Sequence, residues 1–234
     1  MGEAPASVTQ AVALPRVAAR LRQGAPLRVV AFGSSSTEGS GASAPDRTYP
    51  SRLAQDLSAW VRERGAAGEA VEVLNRGRGG DDAEAMARRL ERDVLAERPD
   101  LVIWQTGSND PITGVPPERF AALTRQGILA MRAAGIDVMV MDQQWCPRLE
   151  GVRDAAAYRE ALRGVAAELG VPVIRRAALM RGWAAAGVLT PAQMIGPDGF
   201  HMTDAGYARL AEAVAAQVLR NAGLGAAVAV ARQD

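Results

Sequence analysis

The 234-residue chain contains no lysine, so all 27 of its basic residues are arginine. That excludes a Walker-A lysine reaching a phosphate, a Schiff-base amine and a Ser-Lys dyad. Histidine and cysteine are nearly absent: His201 and Cys146 each stand alone. A lone cysteine forms no intrachain disulfide, and one of each residue is too few for a zinc site built from imidazole and thiolate. Cys146 reads as a small buried or loop residue. No apolar run approaches the ~20 residues of a membrane span, so stable membrane insertion is not expected. A charge excess is missing as well. Twenty-seven basic and 26 acidic residues are scattered along the chain and leave a net charge of +1. That balance predicts no extended nucleic-acid footprint. Residues 1–24 lack the basic stretch and apolar core of a secretion signal, which fits a cytoplasmic chain or one whose signal has been removed. If imidazole does acid–base work in this protein, only His201 is available to do it.

What is present is a strand–helix alternation. Five short runs, rich in Val and Ile and nearly continuous, have the pattern of buried parallel strands: residues 27–32, 71–75, 100–106, 136–141 and 171–174. Helical spacing lies between them. Tyr49, Leu53, Leu57 and Val61 form one stripe; Met86, Leu90 and Val94 form another; Phe120, Leu123 and Met131 form a third. Residues 154–169 are alanine-rich, and Tyr207, Leu210, Val214 and Val218 predict a closing helix. Trp104 lies within a strand and reads as core. Alternation of this kind implies βαβ units with right-handed crossovers. The expectation is an α/β fold, a three-layer α/β/α sandwich with a five-stranded parallel sheet of flavodoxin-like type. Residues 1–25 are expected to form an N-terminal arm or helix interrupted by Pro15, and residues 26–234 a single domain.

In such sheets ligands bind beyond the carboxyl ends of the strands. The segments found there are "GSSSTEG" after the first strand, "RGRGGDD" after the second and "TGSND" after the third, with "DGFH" before the last helix. No G-x-G-x-x-G follows the first strand, so a dinucleotide fingerprint is absent. No serine stands in the G-x-S-x-G elbow of an α/β-hydrolase. Asp198 precedes His201 by three, a spacing that lets one turn set a carboxylate against Nδ1 and leave Nε2 as a base. Thr203 is placed to cap the helix that follows.

These four blocks, in this order, resemble those of the SGNH hydrolases, or GDSL-type esterases. The likeness covers roughly residues 26–220. Gly33, Ser34 and Ser35 align with the G-D-S block, followed by Thr37 and Gly39. The resemblance therefore implies Ser35 as nucleophile, with Ser34 standing where the family has Asp. It implies Gly80 as an oxyanion-hole glycine, ahead of Gly79 and Gly77, because a backbone N–H there approaches the reacting oxygen with no Cβ in the way. Gly107, Ser108, Asn109 and Asp110 match G-x-N-D, which gives Asn109 an amide aimed at the same oxygen. Asp198 and His201 match D-x-x-H and complete a triad with Ser35. The Ser35 backbone N–H, Gly80 and Asn109 then form the oxyanion hole.

The implied activity is hydrolysis of carboxylic esters through an acyl-enzyme, with no metal or organic cofactor and a small-molecule or carbohydrate ester as partner. Short strand-end segments and the lack of an inserted lid favour acetyl-type acyl groups. Acyl transfer to a sugar or other alcohol would use the same residues, and a non-catalytic binding module on the same fold is the third reading. Candidate substrate-binding residues are Arg78, Asp110, Gln144 and Trp145. Arg76 and Arg78 flank the oxyanion loop, where solvated or ion-paired roles compete with substrate binding. Asp142 and Gln143, beside Gln144 and Trp145, are expected to line the cleft.

Overall fold

The computed structural model describes residues 13–65 and 71–225. Within them the chain runs α1 (Pro15–Arg22), β1 (Leu27–Gly33), α2 (Ser35–Glu38), α3 (Tyr49–Arg62), β2 (Val71–Gly77), α4 (Ala83–Asp93) and β3 (Leu101–Gln105). It continues through α5 (Asp110–Thr113), α6 (Pro117–Ala133), β4 (Asp137–Met141), α7 (Pro147–Glu150), α8 (Ala155–Leu169) and β5 (Val173–Ile174). It closes with α9 (Arg176–Ala185), α10 (Pro191–Met194) and α11 (Asp204–Asn221). The five strands are parallel in the order β2-β1-β3-β4-β5, the flavodoxin-like order expected.

Strand periodicity explains the three layers. Val29, Ala31, Ile103, Met139 and Met141 face one way, onto Leu14, Val17 of α1, Leu53 and Leu57 of α3, Met180 of α9 and Leu210 and Val214 of α11. Their neighbours Val30, Phe32, Val102, Trp104, Val138 and Val140 face the other, onto Met86 of α4, Phe120 and Met131 of α6, and Tyr158 and Leu162 of α8. Successive Cβ atoms on a strand point to opposite faces, so a continuous apolar run buries both. Trp104 is core as expected, its ring 5.8 Å from that of Phe32.

The helices predicted from spacing are present, with local adjustments. Pro15 begins α1, where its missing N–H would have had no partner, and residues 1–12 of the expected arm lie outside the described residues. The Val17 N–H, also free in the first turn, donates to Asp137 Oδ2 at 2.9 Å, so a strand residue caps this helix from outside. Val94 falls just beyond α4, as its C-cap. Only Val173 and Ile174 of the fifth apolar run pair as a strand. Helices α9 and α10 were not anticipated: "RRAALMRGWAA" carries its apolar residues without a clean stripe.

Candidate active site

The end of β1 turns directly into α2, and the turn is tightly held. Ser34 is buried; its N–H and Oγ donate to Gln105 Oε1, each at 3.0 Å, and Thr37 Oγ1 donates to the same oxygen at 3.2 Å. The N–H groups of Thr37 and Glu38 both bond Ser34 O. Ser35 opens the short helix, so its own N–H has no intrahelical partner and remains available. Of the three consecutive serines, only Ser35 meets the histidine: its Oγ lies 2.9 Å from His201 Nε2.

His201 is placed by a tight loop between α10 and α11. An antiparallel bridge pairs Ile195 with Met202, and Gly196 N–H donates to His201 O at 2.8 Å. Thr203 caps α11, accepting from Gly206 N–H at 3.2 Å, as its sequence position suggested. Inside the loop Asp198 Oδ1 accepts from the N–H groups of Phe200 and His201, both at 3.0 Å, while Oδ2 lies 2.5 Å from His201 Nδ1. Partial burial pushes the Asp198 carboxyl up, but those two N–H groups and the imidazole outweigh it and hold it below the usual range. An ionised carboxylate only accepts, which fixes the proton on Nδ1 and leaves Nε2 as the acceptor for the Ser35 hydroxyl. The arrangement can therefore move a proton from Ser35 Oγ to the imidazole while Asp198 stabilises the cation formed. The Asp198 side chain is 49% exposed and that of His201 21%, so the relay runs from solvent inward to the turn.

Opposite this pair lies the loop after β2. At Gly77 a Cβ would stand 1.9 Å from the Glu38 N, so only glycine lets β2 pass this close to α2. Gly79 lies against the nucleophile turn, where a Cβ would come within 3.9 Å of Ser35 Cβ. Gly80 has φ +79° with open space on its Cβ side. Asp82 caps α4 through Ala85 N–H. Asp81 is held by Arg89, whose Nε donates to Asp81 Oδ2 at 2.5 Å. The same buried guanidinium donates to Gly33 O at 2.8 Å, Arg76 O at 2.9 Å and Asp93 Oδ2 at 3.0 Å, fastening the ends of β1 and β2 to α4 and to the loop that leads into it. Asn109, after β3, donates from Nδ2 to Asp81 O at 2.8 Å. An amide nitrogen carries two protons, so one fixes the side chain and the other stays free to donate.

Several sequence-derived expectations are corrected. Asp110 is fully buried and does not face a substrate: its Oδ1 accepts from Ala83 N–H at the start of α4. Burial pushes its carboxyl up to about 6, against the N–H bonds that lower it. Gln144 is also buried, bonded to Ser108, Arg176 and the Phe200 carbonyl. Asp142 and Gln143 are buried likewise, Asp142 accepting from Ala177 N–H in the first turn of α9. Polar residues directly after a strand are expected to line the cleft, but here they satisfy backbone and side-chain groups beneath it. Trp145 stays half-buried, its Nε1 donating to Glu150 at 2.5 Å beside a cavity of about 390 Å³. Arg78 is exposed, and its main chain donates to Gly33 O. Arg76 pairs with Glu97 at 2.5 Å. Cys146 is buried, and burial pushes its thiol up. The buried Arg89, Gln105 and Arg176 are not evident from sequence; only Gln105, a polar residue ending an apolar strand, carries a signal there.

The fold is shared with solved structures of other proteins. Among solved structures, a lipolytic protein of the G-D-S-L family from Desulfitobacterium hafniense is 24% identical, with 82% of this chain and 99% of that one covered at a TM-score of 0.67. A lipase/acylhydrolase from Enterococcus faecalis is 22% identical, with 82% and 95% covered at 0.68. An acetylxylan esterase from Geobacillus stearothermophilus is 22% identical, with 86% and 95% covered at 0.67. No curated protein matches the chain. The model of the Non-GDSL lipase-like family matches residues 2–224. With that match spanning nearly the whole sequence, and the departure from G-D-S already visible at Ser34, the chain belongs to the Non-GDSL lipase-like family, a branch of the SGNH carboxylic ester hydrolases.

Proposed function

We propose that the protein hydrolyses short-acyl, acetyl-type esters, with carbohydrate esters as the favoured substrates, through a Ser35–His201–Asp198 triad. The observation that carries this reading is the continuous relay from Ser35 Oγ through His201 to Asp198, at 2.9 and 2.5 Å. His201 Nε2 takes the hydroxyl proton as Ser35 Oγ attacks the acyl carbon. The developing oxyanion is met by the backbone N–H groups of Ser35 and Gly80 and by the Asn109 amide. The imidazolium then protonates the leaving alcohol, giving the acyl-enzyme. Water enters, His201 removes its proton, and the carboxylic acid leaves as Oγ recovers a proton. Asp198 holds the ring and stabilises the imidazolium throughout.

Support for a small acyl group is the build of the rim. The strand ends carry short turns and four-residue helices, with no inserted subdomain among the described residues to shelter a long chain. The fold neighbour from G. stearothermophilus is itself an acetylxylan esterase. The test is a series of p-nitrophenyl esters from acetyl to beyond octanoyl, with acetylated sugars, on wild type and Ser35→Ala. Acetyl esters should give the highest kcat/KM and the variant should be inactive. Preference for chains beyond octanoyl would exclude the short-acyl reading.

A further inference from the structure

A buried hydrogen-bond chain links the two halves of the site. Gln105 Oε1 accepts from Ser34 and Thr37 in the nucleophile turn, while Gln105 Nε2 donates to Ser108 Oγ at 3.2 Å. Ser108 Oγ donates to Gln144 Oε1 at 3.1 Å, and Gln144 Nε2 donates to Phe200 O at 3.2 Å, one residue before His201. Arg176 Nη2 joins at Gln144 Oε1, at 2.7 Å. Gln105, Ser108, Gln144 and Arg176 are all 2% exposed or less.

The direction of this chain is determined. A guanidinium has only donors, so Gln144 must turn its oxygen toward Arg176 and its nitrogen toward Phe200 O. At the other end the Ser34 backbone N–H also has only a proton to offer, so Gln105 must turn its oxygen toward it and its nitrogen toward Ser108. Ser108, a donor and acceptor at once, joins the two without conflict. Arg176 has no carboxylate within 4 Å among the described residues; the acceptors it meets are neutral, the Asp142 main-chain oxygen at 3.0 Å among them. The device occurs twice. Arg159 Nη1 donates to Gln143 Oε1 at 2.7 Å, and Gln143 Nε2 then donates to Gly107 O in the loop leading to Asn109.

We propose that Arg176 and Gln144, acting through Ser108 and Gln105, are positioning residues that hold the Ser35 turn and the His201 loop in register. Ser34 is then the residue this chain requires, not a lapse from G-D-S. An aspartate at 34 would set a carboxylate against Gln105 Oε1, and turning the amide over would set its nitrogen against the Ser34 N–H. Restoring the family residue should therefore damage this site.

The inference rests on the triad reading, so the experiment separates the two. Wild type, Ser35→Ala, Gln144→Glu, Ser34→Ala and Ser34→Asp are compared for fluorophosphonate labelling, p-nitrophenyl acetate kinetics and thermal melting. Gln144→Glu keeps the side-chain shape and gives Arg176 a carboxylate, but loses the proton donated to Phe200 O. Its kcat should fall on the order of tenfold, with KM nearly unchanged and melting temperature not lowered. Ser34→Asp should lose more activity than Ser34→Ala. If Ser34→Asp does not fold, Gln144→Glu carries the test. A Gln144→Glu enzyme that turns over like wild type, or whose kcat falls only in step with its melting temperature, overturns the positioning role while labelling at Ser35 upholds the triad. Failure of wild type to label at Ser35 or cleave any ester overturns both.

Discussion

Two buried aspartates flank strand β3, Asp100 just before it and Asp110 beyond its far end, and their surroundings have opposite effects. Burial pushes the Asp100 carboxyl up, but the Arg28 N–H at 3.0 Å and the guanidinium groups of Arg16 at 2.7 Å and Arg20 at 3.0 Å outweigh it and hold it low. Asp110, with backbone N–H partners and no guanidinium within ion-pair distance among the described residues, is pushed up by burial to about 6. Asp137 sharpens the contrast. It sits at the same edge as Asp100, yet it bonds the Val17 N–H and not a guanidinium, and burial pushes it up. At Asp100 a backbone donor and two bonded guanidinium groups together outweigh burial, whereas the donors around Asp110 and Asp137 do not. One edge of the sheet uses its charges to tie helix α1 onto the strands. The other holds the carboxyl of Asp110, next to Asn109 in the chain, with backbone donors and no bonded guanidinium among the described residues.

Substitutions of the groups that face the site at the carboxyl edge should cost activity, whereas exchanging the buried aspartates should change stability, in opposite directions at the two edges. The largest effect expected is Ser35→Ala, which should lower kcat by ~10⁴-fold or more with no loss of melting temperature. Asn109→Ala should come next, at ~10²–10³-fold in kcat, with KM for p-nitrophenyl acetate little changed. An unaltered kcat would remove Asn109 from the oxyanion hole.

The aspartate variants test the comparison itself, through stability measured against pH. For Asp100 the folded pKa lies below that of the unfolded chain, so its contribution is present above pH ~4 and lost as pH falls. Asp100→Asn should cost about 2 kcal/mol at pH 8, a figure that allows for the partial exposure of Arg16 and Arg20, and almost nothing under acid, with kcat kept. For Asp110 the sign reverses. Between about pH 4 and 6 the folded protein holds a proton that the unfolded chain has lost, so stability falls as pH rises through that window. Asp110→Asn, which still accepts from Ala83 N–H, should be the smallest effect, a gain of about 1–2 kcal/mol at pH 8 that vanishes at pH 4. Denaturant titrations at the two pH values give the answer, and two variants that shift in the same direction would dissolve the contrast.

Strand–helix alternation and the four short blocks made much of this molecule legible. The five apolar runs marked all five strands because parallel strands buried on both faces need uninterrupted apolar residues. His201 and Asp198 stood out because the chain offers no other imidazole. Helices α9 and α10 did not stand out, since α9 exposes Ala178, Gly182 and Ala185 and buries Arg176, which leaves little contrast between its two faces. The polar residues following β4 are equally hard to place from sequence. Sequence position brings Asp142, Gln143 and Gln144 to the edge where sites form, but not to either side of the surface there.

The sequence by itself determined the sheet, its two apolar faces and the types of side chain available at its carboxyl edge, because periodicity and residue scarcity are properties of the chain alone. Only the tertiary structure decided which of three adjacent serines meets His201, that Asp110 and Gln144 lie beneath the site and not in it, and which way each buried amide points. Those outcomes depend on donors and acceptors brought together from segments as far apart as Ser35 and His201, 166 positions, and a linear pattern carries no record of that geometry.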